Sequence, residues 1–393
     1  MKHNLSQGRE IVAIPGPSII PDRVLSAMHR AMPDIYEGDL TTVIDSVWAG
    51  LPEVVQTSGR VFVPIGNGHA AWEMALSNTL SRGDHVLILN CGRFAAIWAE
   101  MAEFNGLNVE VMEAKEGFAN EPSALEERLR ADVDHKIAAV LTVHVDTATS
   151  VRNDVPALRQ AIDAAGHPAL FMVDCIASMG CERFEMDAWG VDVTIAASQK
   201  GMMTPPGLGL VWANEKALAA HESADLRTRY WDWTYRSEDG PYYLRFCGTP
   251  PVSHLFGLAE ALAMMAEEGW EARWERHRVL ADGVRAAVDA WSTPGGIGFI
   301  AQREDQRSDS VTSVTTGSID AVELRRLCRQ QMGVTLGLGI GGDESASFRI
   351  GHMGHVNAPA ILGVLGSIET ALTSMGAPIG ASGVQAATAA LSQ

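Results

Sequence analysis

The sequence predicts an α/β protein with a mostly parallel sheet in a large domain and a smaller C-terminal α+β domain. Three observations lead there. From about residue 60 to 215, short β-rich apolar runs alternate with longer helical patterns, the order of βαβ units. Those runs lack the polar alternation of a half-exposed strand, which implies helices on both faces of the sheet. After about residue 220 the composition changes, and two long helical patterns give way to short strands mixed with helices.

The strand-like runs are HVLILN (85–90), LNVEVM (107–112), KIAAVLTVHV (136–145), ALFMVDC (169–175), VDVTIAA (191–197) and GLGLVWA (207–213). Amphipathic stretches at about 69–81, 93–105, 121–131 and 154–165 lie between them. In such sheets ligands bind beyond the carboxyl ends of the strands. The aromatic segment RTRYWDWTYRSEDGPYYLRF reads as an ordered loop, followed by helical patterns over 252–268 and 270–291. Further on, SVTSVTT and SFRIG read as strands, with helices at 320–331 and 357–375. The tail GASGVQAATAALSQ is low in complexity and is expected to be partly mobile.

Bulk properties bound the function. A chain of 393 residues exceeds the roughly 250 to 300 at which single cores stop growing, so two domains are expected. No apolar run approaches the roughly 20 residues that cross a bilayer, and MKHNLSQGREIVAIPGP lacks the features of a secretory signal. A soluble, cytoplasmic protein is expected. The net charge of -18 disfavours nucleic acid and anionic lipid, which need a positive field, so an anionic substrate has to be held by a few specific cations. Cys91, Cys175, Cys181, Cys247 and Cys328 never form a CxxC pair, which points to reduced thiols rather than disulfides or a metal site.

Only five of the 30 basic residues are lysines: Lys2, Lys115, Lys136, Lys200 and Lys216. Lys200, in AASQKGMMTPPGLGL, follows a buried strand pattern and precedes a Pro/Gly-rich turn. A desolvated lysine there has a lowered pKa and a neutral amine able to attack an aldehyde. Asp174 ends the apolar run ALFMVD, where a lone carboxylate is costly unless a cation pairs with it; a protonated pyridine nitrogen is such a cation. Gly66, Asn67, Gly68 and His69 open a helical pattern, as an anion-binding helix start would. Gln199 and Thr249 could add donors to the same phosphate. Phe94 could stack on a flat ring, and Arg349, inside an apolar strand pattern, could anchor a carboxylate. Each signal alone also fits a plainer role: a solvated lysine, a capping aspartate, a tight turn, a core phenylalanine, an ion-paired arginine. Their combination favours pyridoxal 5'-phosphate chemistry.

Together the residues resemble the class V aminotransferases of fold type I, above all the serine-glyoxylate and alanine-glyoxylate branch. The resemblance runs from PGPSIIP (15–21) to HMG (352–354) and is carried by GNGHAAWEMALSNTL, AIDAAGHPALFMVD, DAWGVDVTIAASQKGMM, PPGLGL, TPPV and FRIGHMG. It implies that Lys200 is the Schiff-base lysine and proton carrier, that Asp174 faces the pyridine nitrogen, and that Asn67, Gly68, His69 and Gln199 hold the phosphate. It implies Phe94 as ring stacker, Arg349 as carboxylate anchor and Gly16 near the substrate. Thr249 corresponds to a phosphate contact from a partner subunit, so a homodimer with shared sites is implied. So is a division into an active-site segment (1–20), a large cofactor-binding domain (21–255) and a small domain (256–393). The implied reaction is ping-pong transfer of an amino group from a small amino acid of the serine, alanine or aspartate type to a small 2-oxo acid such as glyoxylate or pyruvate.

Departures from the branch cluster on the substrate side. The usual PGPTN is PGPSI, with Ile19 in place of an amide; DHRS is Asp34, Ile35, Tyr36, Glu37; HNETATG is HVDTATS, with Val145 and Asp146. A tyrosine found in some relatives is Phe246. Tyr36, Asp146 and HMG echo the pyridoxamine-pyruvate aminotransferases, a sister branch that takes free pyridoxamine, whereas Gly68 and His69 match enzymes that keep the phosphate. Tyr36 and Asp146 are therefore candidate substrate contacts. Other readings are a lyase or desulfurase on the same scaffold, for which Cys328 in a helical pattern is a poor nucleophile, and a catalytically silent binding protein.

Overall fold

The structure, a computed structural model, describes residues 4–236 and 240–393. Lys2 and positions 237–239 of the aromatic segment lie outside these. The chain opens with strand β1 (Ile11–Ala13) and helices α1 (Asp22–Met28) and α2 (Asp39–Val55). Strands β2 (Arg60–Phe62) and β3 (Ile65–Gly66) lead into α3 (Gly68–Thr79), β4 (His85–Asn90), α4 (Arg93–Phe104), β5 (Asn108–Glu113) and α5 (Pro122–Ala131). Then come β6 (Ile137–Val143), α6 (Val155–Ala164), β7 (Leu170–Asp174), β8 (Val193–Ala197), β9 (Gly207–Ala213) and α7 (Glu215–Ser223).

These strands form an eight-stranded sheet in the order β2-β9-β8-β7-β6-β4-β5, with β3 also pairing to β9. From β5 to β8 every pairing is parallel, and β9 closes that run antiparallel to β8. Successive residues of each central strand enter opposite layers. Leu87, Val140 and Phe171 pack with Leu51, Leu125 and Leu158 on one face. Ile88, Leu141 and Met172 pack with Trp72, Ala75 and Trp98 on the other. The central strands β6, β7 and β8 are apolar on both faces because both faces are covered.

The second part contains α8 (Val252–Glu268), α9 (Trp270–Trp291), β10 (Gly298–Phe299), β11 (Val311–Thr315), α10 (Ala321–Met332), β12 (Val334–Leu338), β13 (Ser347–Gly351), α11 (Ala358–Ser374) and α12 (Gly383–Ala390). Its sheet runs β1-β12-β13-β11-β10, so the first strand of the chain completes the C-terminal sheet. The division at 255/256 falls inside α8, whose Leu255, Leu258 and Leu262 join the core of the large sheet. The separate C-terminal core starts at Leu280 within α9. Apolar faces rather than the sequence gap decide where each helix is buried.

The tail is a correction to the expectation of a loose end. Residues 383–390 are helical and pack on α9, with Ala387 fully buried. Glu369 ties the two together by accepting from Trp291 Nε1 at 3.0 Å and Ser382 Oγ at 2.7 Å. Alanine-rich sequence is low in complexity yet high in helix propensity, and the second property wins once a partner surface exists. Among the described residues no helix is long and apolar enough to cross a membrane.

Candidate active site

The carboxyl edge of the large sheet holds a cavity of about 240 Å³. Asp174 reaches it as the last residue of β7, and Lys200 reaches it from the turn after β8. Asp174 is 4% exposed. Its carboxylate accepts from Trp72 Nε1 at 3.0 Å and from the Ile176 N–H at 2.6 Å. Burial dominates and pushes its pKa up to about 7, against which these two bonds and the Lys200 charge work. Lys200 moves the opposite way: burial, then the Arg349 charge, bring its amine down to about 8, while Asp174 holds it up. Its Nζ donates to the Pro15 carbonyl.

Of the residues expected at the site, Gly16, Asn67, Gly68, His69, Phe94, Asp174, Gln199 and Lys200 line this one cavity. Gly16 lies at φ +91°, and a Cβ there would strike the Lys200 side chain. Gly68 has Ile176 where a Cβ would go. Asn67 caps α3: its Oδ1 accepts the His69 and Ala70 amides at 3.1 and 3.4 Å, as N-cap asparagines do. The helix start is therefore partly self-satisfied, and the Gly68 N–H has no partner among the described residues. Gln199 adds a buried Oε1 without a partner. Phe94 stands in the first turn of α4 at the cavity wall.

Four expected residues are placed elsewhere. Asp146 is fully buried and does not line the cavity; its carboxylate accepts the Phe94 N–H at 2.7 Å and the Ala148 N–H at 2.8 Å. The short side chain closes its own turn and holds Phe94, the behaviour of an Asx turn, and offers no free oxygen face to a substrate. Tyr36 is 67% exposed, edge-on to Tyr243. Thr249 is exposed, also outside the cavity. Arg349, on β13, is buried just behind the wall, donating from Nε to Leu338 O at 2.7 Å and from Nη1 to Thr147 O at 2.9 Å. Burial lowers its pKa to about 10.

Trp72, Thr147, Ile176 and Pro206 line the cavity without having been singled out from the sequence. Trp72 was findable: it sits one helical turn beyond His69 and their rings meet edge-on at 4.6 Å. Ile176 follows Asp174 by two positions, but the chain leaves the strand between them, so no periodicity marks it. Among the described residues no group of three or more His, Cys, Asp or Glu could hold a metal ion.

An amine whose pKa burial has lowered and a sequestered carboxyl group at the carboxyl edge of a parallel sheet are equipment for covalent work on carbonyl and amino groups, in the fold type I architecture. The chain belongs to the aminotransferase class-V family, whose pattern matches residues 23–354. It is 40% identical to the serine–glyoxylate aminotransferase of Methylorubrum extorquens, over 98% of this chain and 96% of that one. It is 36% identical to the L-aspartate–glyoxylate aminotransferase of Paracoccus denitrificans, over 96% and 94%. Its fold matches the crystal structure of ureidoglycine-glyoxylate aminotransferase from Bacillus subtilis with a TM-score of 0.89 at 26% identity, covering 99% of this chain and all of that one. The protein is an aminotransferase.

The shifted amine gives a direct check. In the cofactor-free protein, acylation of Lys200 by an amine-directed reagent should rise with pH along a curve centred near 8, because only the neutral amine reacts. Exposed Lys136 is the internal reference, with labelled peptides quantified by mass spectrometry. A Lys200 midpoint equal to that of Lys136 would contradict the burial argument.

Proposed function

We propose that this aminotransferase binds pyridoxal 5'-phosphate at the Lys200 cavity and moves an amino group from a small amino acid of the serine, alanine or aspartate type to a small 2-oxo acid such as glyoxylate or pyruvate. The observation that carries this is the opposed desolvation of Lys200 and Asp174 in one cavity of a class-V chain. The residues fit the cofactor. Asp174 is a buried carboxylate short of a cation, the Gly68 N–H at the start of α3 has no partner among the described residues, Gln199 brings an amide to the same cavity from the turn after β8, and Phe94 lines its wall. Bound there, the cofactor supplies an aldehyde for capture of amines and a protonated ring that takes up electrons.

The chain supplies the rest. Asp174 would face the protonated ring nitrogen, a cation that would reverse its upward pKa shift and hold it as a carboxylate. Lys200, half neutral near pH 8, is the amine that would hold the cofactor's aldehyde and the base that would take and return the proton at the donor carbon. Arg349, behind the Thr147 wall, would orient the substrate carboxylate through Nη2 and the second hydrogen of Nη1, while Nε and Nη1 stay anchored on backbone carbonyls. Trp72, Ile176 and Pro206 limit water at the reacting atoms. Of the two residues that suggested the pyridoxamine-pyruvate alternative, Asp146 is turned inward onto backbone amides and Tyr36 stands outside this chain's own cavity.

A homodimer is part of the same proposal. Thr249 and Tyr36 offer nothing to this chain's own cavity, and Met32, Tyr36, Tyr230 and Tyr235 are left exposed, where a second copy would cover them. A cytoplasmic location is proposed from the free cysteines, most of them buried, and the acidic composition.

Lys200→Ala should cut amino transfer by at least about a hundredfold, the usual worth of a positioned acid–base group. Transfer at the parent rate would disprove the assignment. Arg349→Lys should raise KM for both the amino acid and the 2-oxo acid by about tenfold or more, through loss of the planar two-point contact. Steady-state kinetics with serine, alanine and aspartate against glyoxylate and pyruvate measure this and rank the substrates. Sedimentation should give twice the chain mass; a monomer active at all concentrations would remove the dimer.

A further inference from the structure

The turn that carries Lys200 belongs to no strand or helix, so no ladder fixes its peptides. Bonds within the turn, such as Thr204 N–H to the Ser198 carbonyl at 3.1 Å, and contacts from outside it do. Ser18, 8% exposed, donates from Oγ to the Lys200 carbonyl at 2.6 Å and from its amide to the Gln199 carbonyl at 2.8 Å. The Met203 N–H shares the Lys200 carbonyl at 3.1 Å. Gly354, at φ +79°, leaves the space these contacts need: a Cβ there would stand 3.2 Å from Ser18 Oγ and 3.4 Å from Lys200 O. From the other side Arg273 of α9, 1% exposed, donates to the Gly201 carbonyl at 2.8 Å and to the Gly180 carbonyl at 2.6 Å.

Ser18 is also the end of a short strap. Its other end, β1, runs parallel to β12 with Ala13 opposite Leu336. Between them, Ile14 lies against Gly351 and Pro15 against Gly337, so closely that a Cβ at either glycine would collide. Gly337 pairs directly with Arg349 across β12 and β13. Five residues, 14 to 18, thus connect the strand of the guanidinium to the peptide of the amine, and the Pro15 carbonyl accepts from that amine on the way.

We propose that Ser18 is a positioning residue for the transfer reaction: it locks the peptides on both sides of Lys200 to a strap registered on the Arg349 strand, so that amine and carboxylate anchor are held in one frame. Ser18 touches neither reacting atoms nor the cavity, and acts through Lys200. The inference rests on the reading of Lys200 given above.

The charged and titratable groups that face the Lys200 amine are Arg349 of β13, Asp174 of β7 and Cys181, with His69 of α3 across the cavity and Arg273 behind the turn. None is altered by a change at Ser18, so a shift in the amine reports its placement. In Ser18→Ala the Lys200 carbonyl loses its hydroxyl donor, while the amide of position 18 still holds the Gln199 carbonyl; the loosened Lys200 peptide lets the amine reach water, and its acylation midpoint in cofactor-free protein should rise toward the ordinary lysine value. Labelling of Lys200 at pH 8 should fall several-fold relative to Lys136. In the loaded enzyme kcat should fall several-fold while KM for the amino acid stays, because Arg349 is intact. Ser18→Thr, which keeps the hydroxyl, should restore both readouts. If the alanine variant does not fold, Ser18→Cys keeps the volume with a weaker donor and should fall between. Parental labelling and midpoint in Ser18→Ala, or failure of Ser18→Thr to restore them in a protein of parental melting temperature, would overturn the proposal. Labelling needs no turnover, so this outcome is separable from the test of the transfer mechanism by Lys200→Ala.

Discussion

Lys200 and Asp174 sit at the end of a sheet whose two faces are already closed by helices, so neither can recover much hydration. Burial favours the uncharged form of each, which means the amine loses its proton more readily and the carboxyl keeps its own. Their mutual charge opposes both shifts without cancelling them. The parallel sheet, the Trp72 side of α3 and the strap at Gly16 and Pro17 are what deny them water. Loosening that enclosure returns both groups toward ordinary values and removes the reason the amine is reactive.

Enclosure of this kind also explains how the chain uses its other polar residues near the site. Asp146 is buried as deeply as Asp174, yet it is satisfied by backbone amides that fix the turn after β6 and the start of α4. One carboxylate is closed off by its own backbone, and the other is left with capacity for a cationic ring. Arg349 is intermediate, with Nε and Nη1 on carbonyls and its charge felt at Lys200.

The similarity to glyoxylate aminotransferases over nearly the whole chain contrasts with the departures at Ile19, Tyr36, Val145 and Asp146. The structure sorts those positions. Val145 lines the cavity beside Thr147 and is backed by Ala177, Cys181, Val311 and Met353, so a small apolar wall replaces an amide there. Asp146 and Tyr36 do not join it.

The alternation of apolar runs and helical patterns was enough to foresee β4 to β9 and the helices between them, because local periodicity and burial on both faces are written in consecutive residues. That the residues from Asn67 to Lys200 gather at one cavity was legible for the same reason: each stands at or next to a strand or helix end that the pattern marks. The helical tail was missed because its alanines are apolar enough to be buried only where α9 provides a surface. Nor could sequence alone show that β1 completes the distant C-terminal sheet, that Asp146 turns inward, or that Ser18 grips the Lys200 peptide. Those depend on contacts between residues far apart in the chain, where the free energy of burial and hydrogen bonding is decided by what the folded neighbours leave open.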